Sequence, residues 1–163
     1  MASKNNIRDI VPGTGLGDIK FGMTRKEVER LAGKPDETEH LPGLDDNPKD
    51  DLEVWHYDEY EFSVIFDAEY DWRVVSISLS DPYFHLFGKS IIGMANDQAL
   101  SFLKEMDIEI SDFEDMSDED CSDLQKLESD ANGLIMWIEE GRVCEIQMVP
   151  EMEDDGETYK WPE

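Results

Sequence analysis

IKFGMTRKEVERL (residues 19–31) and SIIGMANDQALSFL (residues 90–103) decide how this chain is read. Each stretch passes from an apolar strand end through Gly-Met into a helical pattern, so Gly22-Met23 aligns with Gly93-Met94. Thr24 stands where a helix N-cap belongs. Glu27 follows three residues on, the reciprocal arrangement that satisfies two orphan backbone donors. Val28, Leu31 and Ala32 then share one helical face, as do Ala99, Phe102 and Leu103 in the second stretch. There Ala95 replaces the threonine, so Asn96 or Asp97 is expected to cap.

Working outward, the segments that follow also match. EFSVIFDAEYDWRVVSISLS (residues 61–80) and NGLIMWIEEGRVCEIQMV (residues 132–149) both alternate apolar and polar positions, the mark of strands with one buried face. Phe62, Val64 and Phe66 correspond to Leu134, Met136 and Ile138. Val75, Ile77 and Leu79 correspond to Cys144, Ile146 and Met148. Strands are expected over 52–57, 60–66, 72–79, 124–128, 133–138 and 142–149. Residues 40–51 read as a polar loop and residues 110–123 as a long acidic one. The expected fold class is therefore α+β, with two tandem repeats, each with one or more helices packed on one face of an antiparallel sheet. The repeats span 10–88 and 89–150, and an acidic, mobile tail spans 151–163.

Charge narrows the function. The 163 residues carry 14 Lys+Arg against 41 Asp+Glu, a formal net charge of −27, and the C-terminal half is the more acidic. Such a surface repels nucleic acid and anionic membrane and favours a basic partner; the alternative is that it serves solubility alone. No stretch has the length of a membrane-spanning helix and the first residues lack the apolar core of a signal peptide, so a cytoplasmic location is expected. The two cysteines form no disulfide framework. Cys144 reads as a small buried hydrophobe, and Cys121 sits among carboxylates that keep a thiol unreactive.

No chemical motif survives inspection. His40, His56 and His85 are dispersed, without the spacing of zinc ligands. The Asp115-x-Ser117-x-Glu119 run has Asp120 where a calcium loop needs glycine and Lys126 where it needs a bidentate glutamate. Gly13, Gly15 and Gly17 lack the Lys-Ser/Thr of a phosphate loop, and no nucleophile elbow is present. No catalytic residue, metal or cofactor is expected.

The outward face of the sheets is more informative. Alternation places Ile65, Trp72 and Val74 outward in the first repeat and Ile135, Trp137 and Val143 in the second, with Glu61, Ser63, Glu145 and Gln147 among them. Trp72 and Trp137 would then form an aromatic patch rimmed by acid. The alternative packs both tryptophans between the repeats or under the acidic loop.

The run Gly-Met-Thr-x-x-Glu-Val-x-x-Leu-x-Gly-x-Pro, Gly22 to Pro35, resembles the helix signature of the BamE/SmpA-OmlA-like and β-lactamase-inhibitor-protein-like domains. Those domains pair a helix or helical hairpin with an antiparallel sheet, and the inhibitor proteins carry two in tandem. The resemblance implies a surface that binds another protein. Acidic, catalytically bare chains of this size are also similar to the immunity proteins of contact-dependent toxin systems, in which an acidic partner neutralises a basic nuclease. The expected function is thus a non-enzymatic inhibitor, most concretely an immunity protein that occludes a basic toxin domain. Its expected interface is Asp112, Glu114, Asp115, Asp118, Glu119 and Asp120 with Trp72 and Trp137. The alternatives are an inhibitor of another enzyme and a structural module of the outer-membrane assembly type; the latter lacks support from a lipoprotein signal with its N-terminal cysteine.

Overall fold

The computed structural model describes residues 7–43, 48–59, 61–120, 123–153 and 159–161. Three short strands come first, β1 (Asp9–Val11), β2 (Gly15–Leu16) and β3 (Ile19–Lys20), followed by α1 (Arg25–Ala32). Then come β4 (Glu37–Leu41), β5 (Leu52–Tyr57), β6 (Phe62–Asp67) and β7 (Arg73–Leu79). A short β8 (His85–Leu86) leads to α2 (Asn96–Glu105), and β9 (Asp112–Asp115), β10 (Leu124–Ser129), β11 (Leu134–Glu139) and β12 (Arg142–Met148) complete the main sheet. The ribbon of β13 (Glu151–Met152) and β14 (Tyr159–Lys160) lies at the C-terminal end.

Thr24 caps α1 as expected. Its Oγ1 accepts from the Glu27 N–H at 3.3 Å, and Glu27 Oε1 accepts from the Thr24 N–H at 3.4 Å. Neither Asn96 nor Asp97 caps α2, which starts at Ala95 without a side-chain cap. The Asn96 N–H donates instead to the Gly141 carbonyl at 2.8 Å, so the turn between β11 and β12 satisfies one orphan donor of the helix. The Gly-Met pairs share a local role. Gly22 N–H donates to Val74 O at 2.9 Å and Gly93 N–H to Val143 O at 2.8 Å, tying each helix entry to a strand start.

The expected fold class needs correction. The described residues are 46% strand and only 18% helical, with two α-helices, and their strands form large antiparallel sheets. It is not a pair of repeats in which helices pack on separate sheets. One eight-stranded sheet runs in the order β4-β5-β6-β7-β12-β11-β10-β9, and a second, four-stranded sheet runs β3-β2-β1-β8. Two physical causes account for the difference. Leu79, Ser78 and Ile77 pair with Ile146, Gln147 and Met148, so β7 and β12 join what alternation alone leaves separate. Of the outermost strands, β9 falls within the acidic stretch read as a loop and β4 runs into the polar loop read from residue 40, and every residue in both strands is exposed. Edge strands are commonly charged, which blocks further pairing but hides them from any search for an apolar period.

A second correction concerns phase. In each half the last hairpin carries a β-bulge. Ile65 pairs with Ser76 but Phe66 with Val74, which leaves Val75 as the extra residue. Trp137 pairs with Glu145 but Ile138 with Val143, which leaves Cys144 as the extra residue. A bulge shifts the period by one. Val74 and Val143 therefore point into the core beside Phe66 and Ile138, while Val75 and Cys144 lie outside the core cluster, the reverse of the expected assignment. The Cys144 thiol donates to the Trp137 carbonyl at 3.3 Å. Cys121 lies outside the described residues.

The largest fully buried side chains collect on one face of the eight-stranded sheet, while Val54 is buried on the other. Phe62, Val64, Phe66, Ile77, Leu79, Met136 and Ile146 meet Val28 of α1, Ala99, Phe102 and Leu103 of α2, and Ile10, Leu16 and Leu86 of the small sheet in a single cluster. The described residues at the C-terminal end also join this side. Tyr70, Tyr159 and Trp161 form an aromatic group with ring centroids 5.0–5.7 Å apart, and Trp161 lies over Gly22. The tail read as mobile is thus docked through residues 159–161; residues 154–158 lie outside the described residues.

Candidate functional site

Both helices and the four-stranded sheet occupy the core-bearing face, so the other face of the eight-stranded sheet has no covering layer among the described residues. One cross-strand row spans it from edge to edge. Glu37, His56, Ser63, Ser78, Gln147, Ile135, Glu128 and Asp112 follow one another through successive register pairs. A neighbouring row holds Glu39, Val54, Ile65 and Ser76, and another holds Glu145, Trp137, Lys126 and Glu114. The face is mixed in the middle and acidic at both edges.

The residues expected to form the interface separate onto different surfaces. Asp112 and Glu114 alternate onto the open face, whereas Asp115 pairs with Gln125 and shares the helix side of β9 with Phe113. Asp118, Glu119 and Asp120 are exposed in the loop that follows. The carboxylates of Asp115 and Asp118 accept from the Ser117 and Asp120 N–H groups at 2.9 Å, closing local turns. Hydrogen bonding from Ser117 holds the Asp115 carboxyl below the usual carboxylate range. Trp137 is on the open face, half-buried, with Lys126 Nζ 5.6 Å from its ring centroid. Lys126 also pairs with Glu128 at 2.7 Å, a hydrogen bond that raises its pKa.

Trp72 is elsewhere. It packs against the core on the helix side, under Arg25 of α1, whose guanidinium lies 4.8 Å from the ring centroid. Arg25 in turn reaches Glu53 at 3.3 Å, and Glu53 accepts from the Trp55 indole at 2.7 Å. Trp72 therefore pins α1 to the hairpin rather than lining an interface. The φ of +59° at both Asp71 and Trp72 turns the chain before β7, and no sequence period encodes that.

Sequence reading left His56 without a role and passed over Glu37 and Glu39. His56 Nε2 is 3.1 Å from Glu39 Oε1, and its Nδ1 is 2.7 Å from Ser63 Oγ. A carboxylate only accepts, so Nε2 is the donor to Glu39, and Nδ1 lies within hydrogen-bond distance of the Ser63 hydroxyl. This is the carboxylate–imidazole–hydroxyl order of a nucleophile triad. However, β6 is paired along both edges, which commits the backbone donors beside Ser63 to the ladder and leaves none to hold an oxyanion. The network fastens edge strand β4 across β5 to β6. Among the described residues no group of three His, Cys, Asp or Glu side chains is placed to hold a metal ion.

Next to Ser63 and Ser78 a hollow of about 210 Å³ opens on this face, lined also by His56, Asp58, Glu61 and Glu145. A larger hollow of about 470 Å³ lies between Glu128, Gly133 and Met152, at the sheet end. The smaller one holds the chemically unusual group. Polar neighbours are paired, Ser63 with His56, Ser80 with Glu61, and Gln147 with Ser76 at 3.2 Å. The Glu145 carboxylate is half-buried and has no hydrogen-bond or ion-pair partner among the described residues. Burial pushes its pKa above the ordinary carboxylate value. A raised folded-state pKa means that the ionised form is penalised in the native state. The penalty is absent below the ordinary carboxylate pKa and grows as pH rises through the raised one. Glu145→Gln is thus expected to raise Tm by about 1–3 °C at pH 7, after allowance for solvent screening, and to change nothing at pH 3.5. Melting curves at the two pH values check this; equal Tm at pH 7 would show that the carboxylate is not under strain.

No family model, curated protein or solved structure matches this chain. No helix among the described residues is long and apolar enough to cross a membrane.

Proposed function

We propose that this chain is a non-enzymatic inhibitor that docks a basic protein on the open face of its eight-stranded sheet and occludes it. The single observation behind this reading is a face without a covering layer, with Trp137 near one acidic edge and carboxylates closing both ends of the row that crosses it. The charge of −27 selects a partner of opposite sign, and a basic nuclease-type toxin domain fits it, which makes an immunity role the most concrete form of the proposal. The two ingredients do different work. Edge and loop carboxylates draw a basic surface in from a distance, while the half-buried indole supplies contact that excludes water.

The test is kinetic. A basic partner captured from native cells at low salt is purified and its binding measured by surface plasmon resonance at two salt concentrations. Neutralising Asp118, Glu119 and Asp120 together is expected to slow association about tenfold at low salt and to leave dissociation nearly unchanged. Trp137→Ala is expected to speed dissociation by about 30-fold, on the order of 2 kcal/mol. Trp72→Ala, on the helix side, serves as the comparison and leaves dissociation unchanged. If Trp137→Ala also leaves it unchanged, the open face is not the docking surface.

A further inference from the structure

We propose that the hollow between Ser63, Ser78 and Glu145 is a receptor for one arginine side chain of the docked protein. This inference rests on the docking reading above and gives it a specific contact.

A half-buried carboxylate in the middle of a sheet is costly unless something pairs with it. Among the described residues nothing does: Glu145 has no partner, whereas Ser63 is matched with His56 and Ser80 with Glu61. The cation in the same cross-strand row is Lys126, on the strand beyond Trp137, and it is engaged by Glu128 and the indole ring. A docked protein can supply the cation that this carboxylate lacks among the described residues. The hollow has room for a side-chain head group, with a volume of about 210 Å³. Its lining is rich in acceptors, since Glu145, Glu61 and Asp58 bring carboxylates and Ser63 and Ser78 bring hydroxyls. A planar guanidinium offers five donors in a fixed fork and gives up its hydration more readily than an ammonium does, so it matches several acceptors around one hollow better than lysine. Trp137 stands directly across from Glu145 in the ladder, on the strand beyond the hollow.

The experiment titrates the full ¹⁵N-labelled chain with acetyl-arginine amide, and in a second arm with acetyl-lysine amide at the same ionic strength, following amide shifts by NMR. Saturable shifts centred on Ser63, Ser78 and Glu145, at least fivefold weaker with the lysine compound, are expected. Glu145→Gln is expected to abolish the saturation. Ser78→Leu, which fills the hollow without changing charge, is expected to do the same, and the spectrum of each variant reports whether it is folded. An unchanged response in Glu145→Gln, equal response to the two compounds, or shifts spread along β4 and β9 overturns the arginine site. Such a result, with the Trp137→Ala effect on partner dissociation intact, removes the receptor and leaves the docking face. Saturation at Glu145 with no Trp137 effect does the reverse.

Discussion

Phe66→Ala is expected to cost about 3–5 kcal/mol, which is a large share of the stability of a domain this size. Phe66 has no exposed surface, and its ring meets Trp55 edge-on with centroids 4.8 Å apart. It also stands opposite Val74, the residue that the bulge turns inward, so truncation opens a cavity where the sheet is already irregular and least able to collapse. Ile65→Ala, one residue earlier, falls on the open face and is expected to cost about 1 kcal/mol. Urea titration of both variants measures the contrast through the midpoint at constant slope. If the two cost the same, β6 does not turn Phe66 to the core and Ile65 to the open face.

The second large effect is backbone in origin. Gly133→Ala is expected to lose at least about 3 kcal/mol or to yield no folded protein. Its φ is +62°, and a Cβ placed there would stand 2.2 Å from the Val149 carbonyl oxygen, which belongs to backbone that cannot swing aside. Relief would require moving the end of β12 and breaking the 2.9 Å bond from Val149 N–H to Gly133 O. Gly141 provides the matched comparison, with φ +78° and nothing within 4 Å of its added Cβ. Gly141→Ala is expected to cost only the left-handed strain, about 1–2 kcal/mol. Thermal melts of the pair separate clash from strain, and equal losses would show that the Val149 contact is unimportant.

The reach of sequence reading follows from which interactions leave a period behind. Thr24 and Glu27 are close in the chain and their cap was legible; so were the inner strands, where Phe62, Val64 and Leu134, Met136 alternate toward a core. Contacts made between distant segments left no such trace. The pairing of Ile77–Leu79 with Ile146–Met148 joins the sheet, and nothing in either segment announces the other. Glu37–Leu41 and Asp112–Asp115 are strands by virtue of one neighbour each, and their exposed, charged side chains carry no strand period. The bulges at Val75 and Cys144 moved the phase of two strands by one residue, and Trp72 was misplaced because its own backbone turns at positive φ. Glu145 was assigned outward, but its isolation became visible only when its neighbours proved to be paired elsewhere.

The joint between β7 and β12 is made by three residue pairs, whereas the hairpins on either side of it have six each. In mechanical terms the plate is scored along its middle: a bending load concentrates at the shortest ladder, and the two flanks move as stiffer leaves. Ser78 and Gln147 face each other across that line, and the hollow beside Glu145 lies along it. Any flexing at the joint would therefore change the curvature of the open face and the width of the hollow together.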